Sequence, residues 1–200
     1  MEYSRLAATY DRRWSSYIAK STRATLQRLT LRPGDRAIDI GCGTGVLLDR
    51  LSAVHPAEAL AGVDPVREML AVARQRLSPA IQLHEAWAEE LPFDAESFDA
   101  AVLSNMFHYV DRPLAALSEV RRVLRPGGSL VITDWCGEYL TCRALALYLR
   151  LSGHAFFRVY SERTCTRLLR ESGFNIIDSE RYRISHLWGL MTIGARNHGR

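Results

Sequence analysis

Apolar residues recur at three-to-four spacing through the first thirty residues: Tyr10, Trp14, Tyr17, Ile18, Leu26 and Leu29, with arginines between them. That period predicts a helix, broken by the turn chemistry of Arg32-Pro33-Gly34-Asp35. From there the pattern changes. Short apolar runs at 36–40, 59–64, 81–85, 98–104 and 129–134 alternate with helix-periodic segments at 45–52, 66–77 and 114–124. Arg125-Pro126-Gly127-Gly128 stops the last of these helices. Strands alternating with helices predict βαβ units, hence a parallel sheet covered on both faces. Beyond Asp134, "EYLTCRALALYLRLSGHAFF" has the pattern of an amphipathic helix followed by two phenylalanines. "YSERTCTRLLRESGF" predicts a further helix, capped by Ser161 and ended at Gly173. "NIIDSERYRI" and "LWGLMTIGAR" then predict a closing strand pair. No internal repeat, low-complexity tract or linker interrupts this order.

In such sheets ligands sit at the carboxyl ends of the strands, near the point where strand order reverses. The residues following Ile40, Val63, Leu83, Leu103 and Ile132 therefore form the candidate site. After the first run comes "AIDIGCGTGV", residues 37–46. Gly41, Gly43 and Gly45 allow a sharp turn and a close approach of peptide N–H groups to a ligand. A dinucleotide loop needs G-x-G-x-x-G, but here the third glycine comes one residue early and Val46 occupies its place. Asp39 precedes the loop inside an apolar strand, where it would repel a pyrophosphate and stabilise a cationic amine. About twenty residues on, Asp64 stands where an acid accepts from the ribose hydroxyls of an adenosine. It also suits a helix N-cap ahead of Pro65, and both roles can hold together.

Composition narrows the classes. The 200 residues are one domain's length, 48% hydrophobic and 24% charged, which is globular composition. The formal charge of +4 is mildly basic, yet Lys20 is the only lysine among 26 basic residues and no basic run is present. No nucleic-acid partner is expected. Cys42, Cys136, Cys142 and Cys165 form no C-x-x-C pair, so neither zinc nor another resident metal is expected. The N-terminus is charged from its second residue and no apolar stretch is long enough for a membrane-spanning helix. The expectation is a soluble cytoplasmic protein with reduced thiols.

Taken together, "AIDIGCGTG", "GVDP", "AEELPFDAESFDAAVLSN" and "RVLRPGGSLVITD" resemble a class I S-adenosylmethionine-dependent methyltransferase, of the small UbiE-like type that methylates small molecules or lipids. These motifs run from about 32 to 134 in that family's order. The resemblance implies a Rossmann-like α/β fold: a seven-stranded, mostly parallel sheet, helices on both faces, and an antiparallel last strand. It implies one domain, with an N-terminal helical lid (1–31), a cofactor-binding core (32–134) and a substrate-side segment (135–200). S-adenosyl-L-methionine is the implied cofactor. Asp39, Gly41, Cys42, Gly43 and Gly45 would hold its methionine end and Asp64 the ribose, with Pro65, Met69 and Tyr10 nearby. "AWAEELPF" matches the adenine-binding turn. That turn usually carries an Asp where this chain has Trp87, so one side-chain acceptor is missing. Trp87 would either stack on adenine or point into the core, and the Ala88 N–H would face a ring nitrogen. Asn105 would line the cofactor cleft.

Methyl transfer from a sulfonium is an in-line displacement, in which the protein positions the reactants and excludes water. Among six histidines, only His108 lies at the predicted cleft; it is either a general base or a packing residue at a strand end. The acceptor, a small and partly apolar molecule, would contact the N-terminal aromatics and residues 135–170. A phospholipid or quinone acceptor reached through the 138–152 helix at a membrane is the alternative, as is a non-catalytic cofactor-binding protein. The oligomeric state is open. Cys136, Cys142 and Cys165 are expected to be buried small hydrophobes rather than a metalloid site.

Overall fold

The structure, a computed structural model, describes residues 2–151 and 158–199. Phe156, Phe157 and His154 lie outside the described residues. Seven strands form one sheet: β1 (Ala37–Ile40), β2 (Leu60–Asp64), β3 (Gln82–Glu85), β4 (Phe98–Ser104), β5 (Leu124–Trp135), β6 (Phe174–Arg183) and β7 (Gly189–Asn197). Their order is β3-β2-β1-β4-β5-β7-β6. The first five pair in parallel, whereas β7 runs antiparallel to both β5 and β6. This is the Rossmann-like arrangement that the motifs implied, with its single antiparallel strand. The order reverses between β1 and β4, which leaves a crevice beyond their carboxyl ends.

The short central strands are buried on both faces because helices cover each. Ile38 and Ile40 of β1 pack with Leu117, Val120 and Val123 of α5 (Pro113–Val123) and with Cys165 and Leu169 of α7 (Glu162–Glu171). Ala37, of opposite parity, packs with Leu47, Leu48 and Leu51 of α3 (Val46–Ser52) and Leu70 and Ala73 of α4 (Arg67–Arg76). Ser161 caps α7 as expected, its Oγ accepting from the Thr164 N–H at 3.0 Å. Gly173 follows in the left-handed region at φ +83.

The N-terminal periodicity divides into two helices, not one: α1 (Glu2–Arg13) and α2 (Ser15–Arg28), which meet at Trp14. Tyr10 and Tyr17 therefore stand on separate helices. The second helix is part of the core layer, with Ser21, Thr22, Ala24 and Thr25 buried against the sheet. Thr25 Oγ1 donates to Thr133 Oγ1 at 2.7 Å, and Arg28 bridges Asp178 and Glu180 of β6. The first helix, α1, reaches across the crevice towards α4. After β5, α6 (Leu140–Leu151) buries Cys142 and Ala146 against Trp135 and Leu190, with Tyr17 and Trp188 packed alongside. All four cysteines are free and buried. Cys136, Cys142 and Cys165 thus belong to the packed interior and do not line the cleft.

Candidate functional site

The carboxyl ends of β1, β2 and β4 open onto a cavity of about 630 Å³. Its wall includes Tyr10 of α1, Ile18 and Thr22 of α2, and Asp39, Gly41, Cys42 and Gly43 from the end of β1. Asp64, Pro65 and Met69 follow β2, Trp87 and Ala88 follow β3, and Asn105, Met106 and Tyr109 follow β4. Eleven of the thirteen residues singled out from the sequence meet there. Gly45 and His108 do not.

Each exception has a physical reason. Gly45 sits at φ +81, and a Cβ there would lie 2.8 Å from Leu77 and 3.2 Å from Ala73 of the α4 layer. Its glycine serves helix packing. Gly43 is different: at φ +54 it has nothing within 4 Å of a notional Cβ, and its N–H donates to Asp64 Oδ2 at 2.9 Å. The loop backbone is thus bare at Gly43, whereas a Cβ at Gly41 would meet the Met106 side chain at 2.6 Å. His108 lies in a 3-10 turn (Phe107–Tyr109), its ring buried against Trp135 and Tyr109. Its Nδ1 meets Asp134 Oδ1 at 2.5 Å, while its backbone N–H donates to Oδ2 at 2.9 Å.

The two acids at the floor differ from each other. Asp64 accepts from the N–H groups of Gly43 and of Val66, the latter at 2.8 Å, so it organises both the glycine loop and the start of α4. Burial raises its pKa, and those two N–H bonds work against the rise. Asp39 is 3% exposed, and its Oδ1 is buried without any hydrogen-bond partner. Burial, followed by the charge of Asp64, pushes the Asp39 carboxyl up to about 7. A buried acceptor left unpaired costs about 1–3 kcal/mol, and a cation beside it would remove that penalty.

Trp87 is 58% exposed on the rim, so its indole does not enter the core. Asn105 adopts φ +58, a strained setting for a non-glycine residue. Its side chain accepts from Tyr17 Oη at 2.7 Å and donates to Ser21 Oγ at 2.9 Å. Tyr17 Oη in turn accepts from Trp135 Nε1 at 2.8 Å.

Sequence reasoning missed a second group at the mouth. Thr44 Oγ1 donates to Asp11 Oδ1 at 2.6 Å, Arg76 pairs with Asp11, and Arg76 Nη1 donates to the Thr44 carbonyl at 2.6 Å. The glycine loop marks Thr44. Nothing local marks Asp11 or Arg76, because only the tertiary fold brings α1 and α4 together. Three further histidines make structural contacts: His55 Nε2 meets the Asp35 carbonyl at 2.6 Å, His198 meets Asn175, and His84 packs edge-on to Phe93. Among the described residues no group of three or more His, Cys, Asp or Glu could hold a metal ion, and no helix is long and apolar enough to cross a membrane.

Residues 38–132 match the family described as "Methyltransferase domain". Over 163 residues the chain is 32% identical to the O-methyltransferase cnsE of Penicillium expansum, covering 78% of this chain and 58% of that protein. It is 35% identical over 128 residues to the ubiquinone/menaquinone biosynthesis C-methyltransferase UbiE of Syntrophotalea carbinolica, covering 62% and 51% respectively. A chain of the Haloferax volcanii complex built around the Trm112 methyltransferase activator superposes with a TM-score of 0.88 at 18% identity, covering 99% of this chain and 98% of that one. At that identity the likeness shows the fold alone. The chain spans from 33% to 62% of the length of the curated relatives it matches.

Proposed function

We propose that the chain, whose residues 38–132 match the methyltransferase domain family, is an S-adenosylmethionine-dependent methyltransferase whose cavity binds that cofactor and serves methyl transfer to a small, partly apolar acceptor. The observation that carries this reading is Asp39: a buried carboxylate with an orphaned Oδ1 at the floor of the cavity. It fits a ligand whose amino-acid end carries an ammonium. The bound cofactor supplies an electrophilic methyl group on a sulfonium. Asp39 would hold the ammonium, and the bare backbone at Gly43 would face the same end, whereas Gly41 packs against the Met106 side chain. Asp64, fixed by two N–H bonds, keeps lone pairs available for ribose hydroxyls. Tyr10 and Met69 close the cavity from the α1 and α4 sides and exclude water.

The acceptor end falls to Ile18, Thr22, Asn105 and Tyr109, an apolar wall with a few polar atoms. A base role for His108 requires its ring to reach the cavity from behind Tyr109. Its burial and its bond to Asp134 support a positioning role instead, as the side chain that fixes Tyr109 in the wall. The test is a screen of pooled acceptors that reads S-adenosylhomocysteine release, with Asp64→Ala as the control. Release should appear with the wild-type protein and be lost in the variant. A folded wild-type protein that fails to bind S-adenosylmethionine by calorimetry would sink the proposal.

One observation favours a membrane-resident acceptor as a second reading. Leu140, Leu147, Tyr148 and Leu151 of α6 are 57–80% exposed, and residues 139–161 carry three arginines and no acid. An apolar stripe flanked by arginines suits an anionic bilayer surface. Co-sedimentation with anionic vesicles should retain the protein; no binding removes this reading.

A further inference from the structure

The end of the cavity beyond Asp64 is built by two lips. One is the turn after β3, with Trp87, Ala88 and Glu89; the other is the loop after β4, with Tyr109, Val110 and Asp111. The Arg112 N–H ties them together, donating to Glu89 Oε1 at 3.3 Å. Trp87 offers a half-exposed indole face to this end. Ala88 is 5% exposed, and among the described residues nothing accepts from its N–H. A buried backbone donor without a partner is rare and points to a ligand acceptor. Asp111 is exposed on the cavity side, and among the described residues nothing donates to its carboxylate. An aromatic slab, one free donor and one free anionic acceptor complement a planar heterocycle that carries a ring nitrogen beside an exocyclic amine.

We infer that Asp111, reaching from the loop after β4, accepts the amino group of the cofactor's adenine and thereby replaces the side-chain acceptor that Trp87 displaces from the turn after β3. This rests on the cavity binding S-adenosylmethionine. Ala88 N–H donates to the neighbouring ring nitrogen, and Trp87 stacks on the base without regard to its substituents. Glu89, held by the Arg112 N–H, sets the distance between the lips. Base specificity and base affinity are thus divided between different residues: Asp111 discriminates, while Trp87 only binds.

Calorimetry with S-adenosylhomocysteine and S-inosylhomocysteine separates the two roles. The second ligand carries a carbonyl oxygen in place of the amino group, so it sets an acceptor against the Asp111 carboxylate. Wild-type protein should prefer the adenosyl ligand roughly 30-fold. Asp111→Ala should lower that ratio to about threefold or less, mainly by weakening the adenosyl ligand roughly tenfold. Asp111→Asn, whose amide can donate to the carbonyl, should tip the ratio towards the inosyl ligand. Trp87→Ala should weaken both ligands by a similar factor and leave the ratio intact. A ratio unchanged in both Asp111 variants overturns the assignment while leaving cofactor binding in place. Failure of the wild-type protein to bind either ligand overturns the cofactor reading, and this one with it.

Discussion

Two buried carboxylates stand at the ends of parallel strands, Asp39 on β1 and Asp134 on β5, and they differ in what surrounds them. Asp134, 1% exposed, accepts from the backbone N–H of His108, from His108 Nδ1 and from the N–H of Trp135 at 2.7 Å. The protein satisfies it fully from within. Asp39, 3% exposed, keeps an orphaned oxygen, and its pKa is raised by burial and by Asp64. Equal burial therefore carries opposite meanings. A satisfied acid organises its own neighbourhood, here the 3-10 turn that presents Tyr109, whereas an unsatisfied one is completed by something that the chain does not contain. That difference, rather than the presence of acids at strand ends, separates the binding end of the cleft from its supporting end.

The largest effect should come from breaking the satisfied member. Asp134→Ala strands three buried donors, which costs about 3–5 kcal/mol. For a chain of this size that is a fall of roughly 10 °C in Tm. Thermal unfolding followed by circular dichroism checks it; a drop below about 3 °C would mean that the donors find other partners.

Asp39→Asn should act in the opposite sense on the ligand-free protein. The folded-state pKa near 7 lies above the ordinary aspartate value of 3.8, so the folded protein holds this proton more tightly than the unfolded chain. The stabilisation from this group is complete below about pH 4 and is lost as pH rises to about 7. Above that, the ionised carboxylate costs about 4 kcal/mol. The variant's stability relative to wild type should accordingly be near zero at pH 4 and favourable at pH 8. Cofactor affinity at pH 8 should meanwhile fall roughly 100-fold, the loss of one buried charge pair. Binding to the wild-type protein at pH 6 should release about one proton, vanishing towards pH 8.5 and absent in the variant. Calorimetry in buffers of different ionisation enthalpy measures this directly. Binding without proton release at pH 6 would detach Asp39 from the ammonium.

The sheet and most of the cleft were legible in the chain because they depend on local signals. Apolar runs, glycine spacing and acids at strand ends are short-range patterns, and β1, β2 and β4 carry them intact. The N-terminal periodicity was legible as helix but not as two helices, since the break at Trp14 involves neither Gly nor Pro. The 3.6-residue period persists across it. The state of an acid was not legible at all: nothing in "AIDIG" or "SLVITD" tells which carboxylate is satisfied, because the donors to Asp134 come from residues 108 and 135. Likewise Trp87 on the rim rather than in the core depends on how the turn after β3 meets the loop after β4.

The smallest expected effect concerns the cleft's closure. The Asp11 carboxylate joins α1 both to the glycine loop, through Thr44, and to α4, through Arg76. Thr44 is buried, whereas the Asp11 and Arg76 side chains are partly exposed, where an ion pair contributes at most about 1 kcal/mol. The helix it tethers also carries Tyr10, which lines the cavity wall. Asp11→Ala should therefore lower Tm by no more than about 2–4 °C. It should speed release of S-adenosylhomocysteine about fivefold in stopped-flow, because the bond to Thr44 must break before α1 can lift from the loop. The acid at position 39 would still hold the ammonium, so proton release on binding should stay at its wild-type value. An unchanged release rate with intact folding would assign closure to Tyr10 packing on Met69 and leave the Asp11 bridge as a surface ion pair.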